Sequence, residues 1–277
     1  MANDPYEEFR RAVACPDQKI ELARAALTIA AGEYPNLLIA EYLSRIDLLA
    51  AEVAERIGQE RNVYRSIAGL NHVLFQRHGY RGNLSEYFDP KNSFLNEVME
   101  RKRGIPITLS VLYMEVAQRI GLPLLGVGFP GHFLVKYIDD EQEIVIDPFN
   151  GGEVLSTDSL ETLLRRLFGG NIVLHADLLE PVTKKQVIRR MLYNLKAIYL
   201  RRNDFLKALS IIERLLILEP GSADDLRDRG AVFLKLECFS QALADFETYL
   251  RMAPDAEDAV AIKEQVVNLA KQVTQMH

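Results

Sequence analysis

The chain has 277 residues, of which 48% are hydrophobic and 26% are charged, a balance that is ordinary for a globular protein. Its net charge of −6 argues against nucleic acid as a partner, because phosphate binding needs a basic face. No stretch approaches the ~20 apolar residues that a membrane span needs, so we expect no membrane contact. The acidic start lacks an apolar segment and so gives no sign of a secretory signal.

The cysteines and histidines indicate neither a disulfide framework nor a metal site. Cys15 and Cys238 are far apart in sequence, and a reducing environment suits two isolated thiols. None of the five histidines has the paired spacing with cysteine that indicates zinc. We therefore expect a cytoplasmic protein without metal or cofactor.

The first 78 residues have a helical pattern. Apolar residues recur at spacings of three and four over residues 20–29 and 37–57, which predicts amphipathic helices separated at Gly32 and Pro35. A third helix is predicted from about Glu60 to Arg77, and a short one over residues 94–99.

The middle of the chain mixes a buried helix with strands. Pro106 suits the first turn of a helix, and residues 107–120 are apolar on most faces, which predicts that this helix is buried. Strands are predicted over 124–127, 132–138 and 144–147, with a turn within residues 139–142. Residues 147–152 are expected to end the sheet, a helix follows over 157–167, and 181–185 is interpreted as a linker or a domain edge. The predicted fold class is α+β, with a helical N-terminus and a small antiparallel sheet.

The tail matches itself at an offset of 34 residues. Ala208 aligns with Ala242 and Pro220 aligns with Pro254. The small alanine lets two helices pack closely, and the proline cannot continue a helix and so ends it. This pattern resembles tetratricopeptide repeats, although only the second unit carries the usual glycine, Gly230. We predict an all-α module over residues 187–277 with two repeats and a C-terminal capping helix. Its apolar face is expected either to bind a protein or peptide, or to pack intramolecularly on the preceding domain.

His132 and Asp147 are the best candidates for chemistry. If residues 139–140 form a two-residue loop, His132 lies directly opposite Asp147; if the loop is 139–142, the two are diagonal neighbours on one face. Either arrangement lets a carboxylate reach the imidazole, as a general base requires. A structural interpretation is also open, in which His132 is a core residue satisfied by Asp147.

Three motifs in order resemble the transglutaminase-like, papain-like fold. They are Gly104-Ile105-Pro106 before the buried helix, Gly131-His132-Phe133 before a strand, and Ile146-Asp147-Pro148 at a strand end. The resemblance implies that His132 is the base and Asp147 its orienting acid. The cysteine nucleophile of that family falls on Pro106, which has no nucleophilic side chain.

Two hydroxyls follow Pro106 within about a turn. Thr108 lies ~3 Å further along the helix axis at 1.5 Å per residue, and Ser110 lies further still. A small misplacement costs much of the rate, and a hydroxyl is a weaker nucleophile than a thiolate. Ser110 is also expected to bond back to a carbonyl oxygen four residues earlier.

The combination of a helical N-terminus, this core and the repeats resembles the bacterial SirB-type family, with domains at 1–180 and 187–277. The favoured hypothesis is a non-catalytic scaffold or regulatory protein that mediates protein–protein interaction. The alternative is an acyl-transfer enzyme or amide hydrolase using Ser110 or Thr108 with His132 and Asp147. A third hypothesis is a small-ligand pocket along the glycine-rich residues 126–131.

Overall fold

The structure is a computed structural model that describes residues 5–59, 62–169 and 172–275. The chain forms two compact units, Met1–Met191 and Leu192–His277. Glu60, where the third helix was expected to begin, lies outside the described residues, as does His277. Among the described helices, none combines the length and apolar character that a membrane crossing requires.

The first unit begins with four helices, of which the three- and four-residue spacing predicts the second and third. They are α1 (Pro5–Val13), α2 (Leu22–Ala31), α3 (Ile39–Ile57) and α4 (Val63–Asn71), and a π-helical turn, His72–Arg77, continues α4. The apolar stripes face inward, since Leu27, Ile46 and Val53 are fully buried. The side chain of Asn62 accepts a hydrogen bond from the backbone N–H of Arg65 and so caps α4.

Two further helices carry the middle of this unit, α5 (Leu95–Arg101) and α6 (Pro106–Arg119). Every residue of α6 from Pro106 to Ala117 is buried, which confirms the prediction from its apolar character. Pro106 occupies the first helical turn, where its missing N–H leaves no backbone partner unsatisfied.

The sheet of the first unit is antiparallel, has five strands and packs against α6. Its strands are β3 (Leu125–Val127), β4 (Leu134–Ile138), β5 (Glu143–Asp147), β6 (Glu153–Leu155) and β7 (Pro181–Val182), in the order β6-β5-β4-β3-β7. Two short strands earlier in the chain, β1 (Arg81–Gly82) and β2 (Arg103–Gly104), pair in parallel. A helix, α7 (Thr157–Phe168), lies between β6 and β7 in sequence.

The sheet is wider than the sequence predicted, and this corrects two expectations. It does not end at residue 152, because β6 pairs with β5, and the expected linker contains the edge strand β7. Strands of two or three residues are too short to show an alternating pattern. Pro181 is tolerated in β7 because an edge strand has one side without a ladder.

The second unit continues the long helix α8 (Lys184–Arg201), in which the boundary between the units falls. It then contains α9 (Phe205–Leu218), α10 (Ala223–Lys235), α11 (Phe239–Met252) and α12 (Ala259–Gln275). The 34-residue period recurs in the backbone, since Asn203 and Glu237 both have positive φ, 56° and 59°. Ala208 and Ala242 are fully buried, as close helix packing requires.

Candidate functional site

The structure joins His132 and Asp147 by a hydrogen bond, with Nε2 of His132 2.9 Å from Oδ2 of Asp147. Ile138 pairs with Glu143, so the hairpin loop is the four-residue alternative and the two side chains are diagonal neighbours. His132 lies in a turn, and its own backbone N–H donates a hydrogen bond to the carbonyl oxygen of Phe129 at 3.0 Å. The strand therefore begins at Leu134, two residues later than predicted.

Asp147 is the last residue of β5 and caps the 3₁₀ turn that follows. One of its oxygens accepts from the backbone N–H groups of Phe149 at 3.0 Å and Asn150 at 3.3 Å. The other accepts from Nδ2 of Asn150 at 2.7 Å as well as facing His132. The carboxylate is 1% exposed, so these bonds fix its orientation towards the imidazole.

The imidazole of His132 is held on several sides and is 7% exposed. The ring of Phe149 meets it edge-on at 5.6 Å between centroids. Within the part of the chain that the structure describes, no hydrogen bond is found at Nδ1. The pair therefore combines a fixed carboxylate with an imidazole that has one unbonded nitrogen.

Arg190 is a member of this site that the sequence analysis missed. Its Nη2 donates to the carbonyl oxygens of His132 and, at 3.2 Å, of Phe129. Burial lowers the pKa of Arg190, and no carboxylate of the described residues lies within 4 Å of it. No local signal marks this residue, because 58 positions separate it from His132.

The positions around the missing nucleophile are occupied by packing and backbone contacts. The Thr108 hydroxyl donates towards the carbonyl of Asn92 at 2.6 Å and accepts from the backbone N–H of Ile105 at 3.2 Å. Ser110 is fully buried, and its hydroxyl has no hydrogen-bond partner. The expectation that Ser110 bonds back along the helix is therefore wrong, and neither hydroxyl bonds to His132.

A cavity of about 380 Å³ lies beside Asp147 and Asn150, and charged residues of α7 and β6 contribute to its lining. His132 does not line it. Of the glycines in residues 126–131, Gly126 is buried, a Cβ on it would lie 2.8 Å from the ring of Phe133, and it borders a cavity of about 180 Å³, whereas Gly128 and Gly131 are exposed. Among the described residues, no group of three or more His, Cys, Asp or Glu is placed to hold a metal ion.

Comparison with known families explains this arrangement of helix, imidazole and carboxylate. Residues 40–193, more than half of the chain, match the transglutaminase-like superfamily. The chain belongs to this superfamily. Residues 195–267 match the tetratricopeptide repeat family, so both resemblances seen in the sequence are confirmed, in the predicted order.

The relatives of this transglutaminase-like protein share both parts. A UPF0162 protein of Xylella fastidiosa is 38% identical over 269 residues, which cover 94% of each chain. Protein SirB1 of Salmonella typhimurium is 27% identical over 251 residues, covering 88% of this chain and 90% of SirB1. A crystal structure of menin covers 90% of this chain and 69% of its own, at 10% identity and a TM-score of 0.38. The SirB-type membership is thus confirmed by whole-length relatives.

Proposed function

We propose that this protein is a non-catalytic transglutaminase-like scaffold that mediates protein–protein interaction in the cytoplasm. The observation that carries the proposal is Pro106 at the start of α6, where the resemblance puts the nucleophilic cysteine. A cysteine enzyme of this architecture needs a thiolate beside the imidazole, and proline supplies none.

The nearest hydroxyls do not replace the thiol. The hydroxyl of Thr108 donates its hydrogen bond to the carbonyl oxygen of Asn92, and Ser110 is fully buried. A nucleophile must touch both its base and the substrate, and no hydrogen bond from either hydroxyl reaches His132. Tetratricopeptide repeats generally mediate protein–protein interaction, which supports the scaffold role.

Affinity capture tests the scaffold role. The full chain and a version that ends at Met191, the last residue of the first unit, are each immobilised and exposed to lysate from the source cells. We expect the full chain to retain a defined set of proteins, and the shortened chain to lose those that the repeats bind. If neither retains a protein above the level of the empty matrix, the proposal fails.

The acyl-transfer alternative is favoured by the unbonded Nδ1 of His132, which could serve as a base. Hydrolysis of an activated ester by the native chain, by Ser110→Ala and by Thr108→Val tests it. We expect all three to match the buffer rate. If the native chain hydrolyses the ester and either substitution abolishes that activity, the protein is an enzyme and the scaffold proposal is wrong.

A cysteine at position 106 tests whether this position lies next to His132, as the resemblance implies for the nucleophile. Pro106→Cys is made with Cys15→Ser and Cys238→Ser, so that position 106 holds the only thiol. Position 106 is buried, so the comparison is with the same variant carrying His132→Ala, which has the same burial. If residue 106 lies beside the imidazole, the thiol should react with iodoacetamide at pH 7 faster when His132 is present, because an imidazole next to it favours the thiolate. Adding His132→Ala is expected to remove that gain. Equal rates with and without His132 would show that Pro106 does not occupy the nucleophile position.

A further inference from the structure

Three side chains at the His132–Asp147 site carry polar atoms that bond to nothing within the described residues. These atoms are Nδ1 of His132, the hydroxyl of Tyr87, and Nε and Nη1 of Arg190. None of them is enclosed, in contrast to the unbonded hydroxyl of Ser110 in the core. We call these three residues the polar rim. Because its unbonded atoms are open to solvent, a ligand can reach them.

Contacts in a closed circuit hold the polar rim together. Nη2 of Arg190 donates to the carbonyl oxygen of His132. The ring of His132 meets the ring of Phe149 edge-on, and Phe149 meets Tyr87 in the same manner at 6.4 Å between centroids. Burial raises the pKa of Tyr87 and the positive charge of Arg190 lowers it, so these two side chains also interact. The three residues therefore belong to one site.

The hydrogen bond to Asp147 determines what the imidazole of His132 offers to a ligand. Both oxygens of Asp147 accept bonds from N–H groups of Asn150, as an ionised carboxylate does, so Nε2 of His132 is the donor in their shared bond. In a neutral imidazole with the proton on Nε2, Nδ1 is an acceptor with a free lone pair. A ligand N–H group would satisfy this acceptor.

Arg190 brings a positive charge to the polar rim. Its Nη2 is occupied by the carbonyl oxygens of Phe129 and His132, which leaves Nε and Nη1. Nη1 lies beside the exposed Gly128, since a Cβ on that glycine would be 3.5 Å away from it. Burial lowers the pKa of Arg190, and a bound anion would offset the cost of holding its charge partly out of water. One guanidinium matches one carboxylate in charge and in geometry.

An apolar surface adjoins the polar rim. The ring of Phe88 meets that of Tyr87 edge-on and is 57% exposed. Leu84, on the same loop, is 80% exposed. Large apolar side chains exposed beside polar groups are typical of protein-binding surfaces. A small anion would leave both this surface and Nδ1 of His132 uncovered, whereas a peptide would cover them.

We propose that the polar rim binds an acidic peptide segment of a partner protein, with an apolar residue next to the acidic one. The Asp or Glu carboxylate of the segment accepts from Arg190 and Tyr87. A backbone N–H of the segment donates to Nδ1 of His132, and its apolar side chain packs on Phe88. This inference rests on the scaffold role and names the kind of partner that the site accepts. The net charge of −6 opposes non-specific binding of such a segment, so its affinity comes from the site.

Fluorescence anisotropy of the full chain tests the proposal with a labelled heptapeptide of glycine, leucine and glutamate. Arg190→Gln removes the charge, and Tyr87→Phe removes only the hydroxyl. The matched controls are Arg56→Gln and Tyr64→Phe, at exposed residues of the same unit. Thermal melting shows which variants fold. Tyr87→Phe keeps the aromatic packing, so it preserves the test if Arg190→Gln releases the turn at His132.

We expect Arg190→Gln to weaken peptide binding about tenfold, Tyr87→Phe about threefold, and either control less than twofold. The same peptide with glutamine in place of glutamate should bind about tenfold more weakly. Failure of the acidic peptide to bind, or equal weakening by the variants and their controls, would overturn the proposal. Acetate that competes as well as the unlabelled peptide would overturn it too, because acetate has no N–H group and no apolar neighbour. The affinity capture uses no probe peptide and decides the scaffold role separately.

Discussion

The first turns of α6 contain two buried hydroxyls, one with hydrogen-bond partners and one without. Thr108 makes three close contacts, to the carbonyl of Asn92, the carbonyl of Ile105 and the N–H of Ile105. Ser110, two residues later, makes none. A hydroxyl in a core is stabilising only when it is bonded, so the two have opposite effects on the free energy of unfolding.

Substituting the two hydroxyls should therefore give opposite results. Thr108→Val keeps the shape but removes the hydroxyl's bonds to the carbonyls of Asn92 and Ile105 and leaves the Ile105 N–H with only a 3.4 Å bond to the carbonyl of Asn92. We expect it to lower the free energy of unfolding by about 1–3 kcal/mol. Thr108→Ser, which keeps the hydroxyl, should cost less. Ser110→Ala should leave stability unchanged or raise it. Urea unfolding followed by circular dichroism measures all three, and a larger loss for Ser110→Ala than for Thr108→Val would contradict the hydrogen-bond assignment.

Asp147 is a second residue whose role can be measured. Asp147→Ala removes the acceptor of the backbone N–H groups of Phe149 and Asn150 and of the side-chain amide of Asn150. We expect it to lower the free energy of unfolding by about 2–4 kcal/mol. Asp140→Ala, in the exposed hairpin loop, is the matched control and should change stability by less than about 0.5 kcal/mol. The same urea titration compares them, and equal effects would rule out an organising role for Asp147.

At the scale of elements, each repeat turns between its helices through one residue in the left-handed region. Asn203 holds this place in the first repeat and Glu237 in the second, 34 residues later. Asparagine tolerates positive φ better than glutamate does, because its short side chain bonds locally. The second turn is therefore the more strained of the two.

Glycine at these turns should relieve that strain unequally. We expect Glu237→Gly to raise the free energy of unfolding by about 1 kcal/mol and Asn203→Gly to raise it by less. Glu237 is exposed, and within the described residues it makes no ion pair, so no contact is lost. Thermal unfolding of the full chain provides the measurement. A destabilised Glu237→Gly variant would show that backbone strain does not control this turn.

At the scale of the whole molecule, both units depend on groups that titrate at alkaline pH. Burial raises the pKa of Tyr80, in the first unit, from 10.0 to about 12. In the second unit, burial alone would lower the pKa of Lys196, but hydrogen bonds to Asp225 and Asp228 outweigh it and raise that pKa. Both folded units therefore hold protons that the unfolded chain releases earlier.

Stability should be independent of these groups near neutral pH and fall as the pH rises above about 10. The unfolded chain loses its tyrosine protons from pH 10, whereas Tyr80 keeps its proton until about pH 12, so unfolding becomes favoured between those values. Lys196 adds to the loss above pH 10.5, its ordinary pKa. Urea unfolding at a series of pH values measures the slope, and Tyr80→Phe should make it shallower. A free energy that stays constant from pH 9 to 11 would refute this.

The sequence by itself determined every feature that repeats locally. The three- and four-residue spacing fixed the main helices, the apolar character of α6 fixed its burial, and the 34-residue offset fixed the repeat module. His132 and Asp147 were also predictable, because a hairpin joins them and their separation depends only on the length of its loop.

Only the tertiary structure decided features that depend on residues distant in sequence. The edge strands β6 and β7 exist because neighbouring strands supply their hydrogen bonds, and their two or three residues carry no pattern of their own. Arg190 joins the His132 turn from 58 residues away, and Thr108 is occupied by a carbonyl 16 residues earlier.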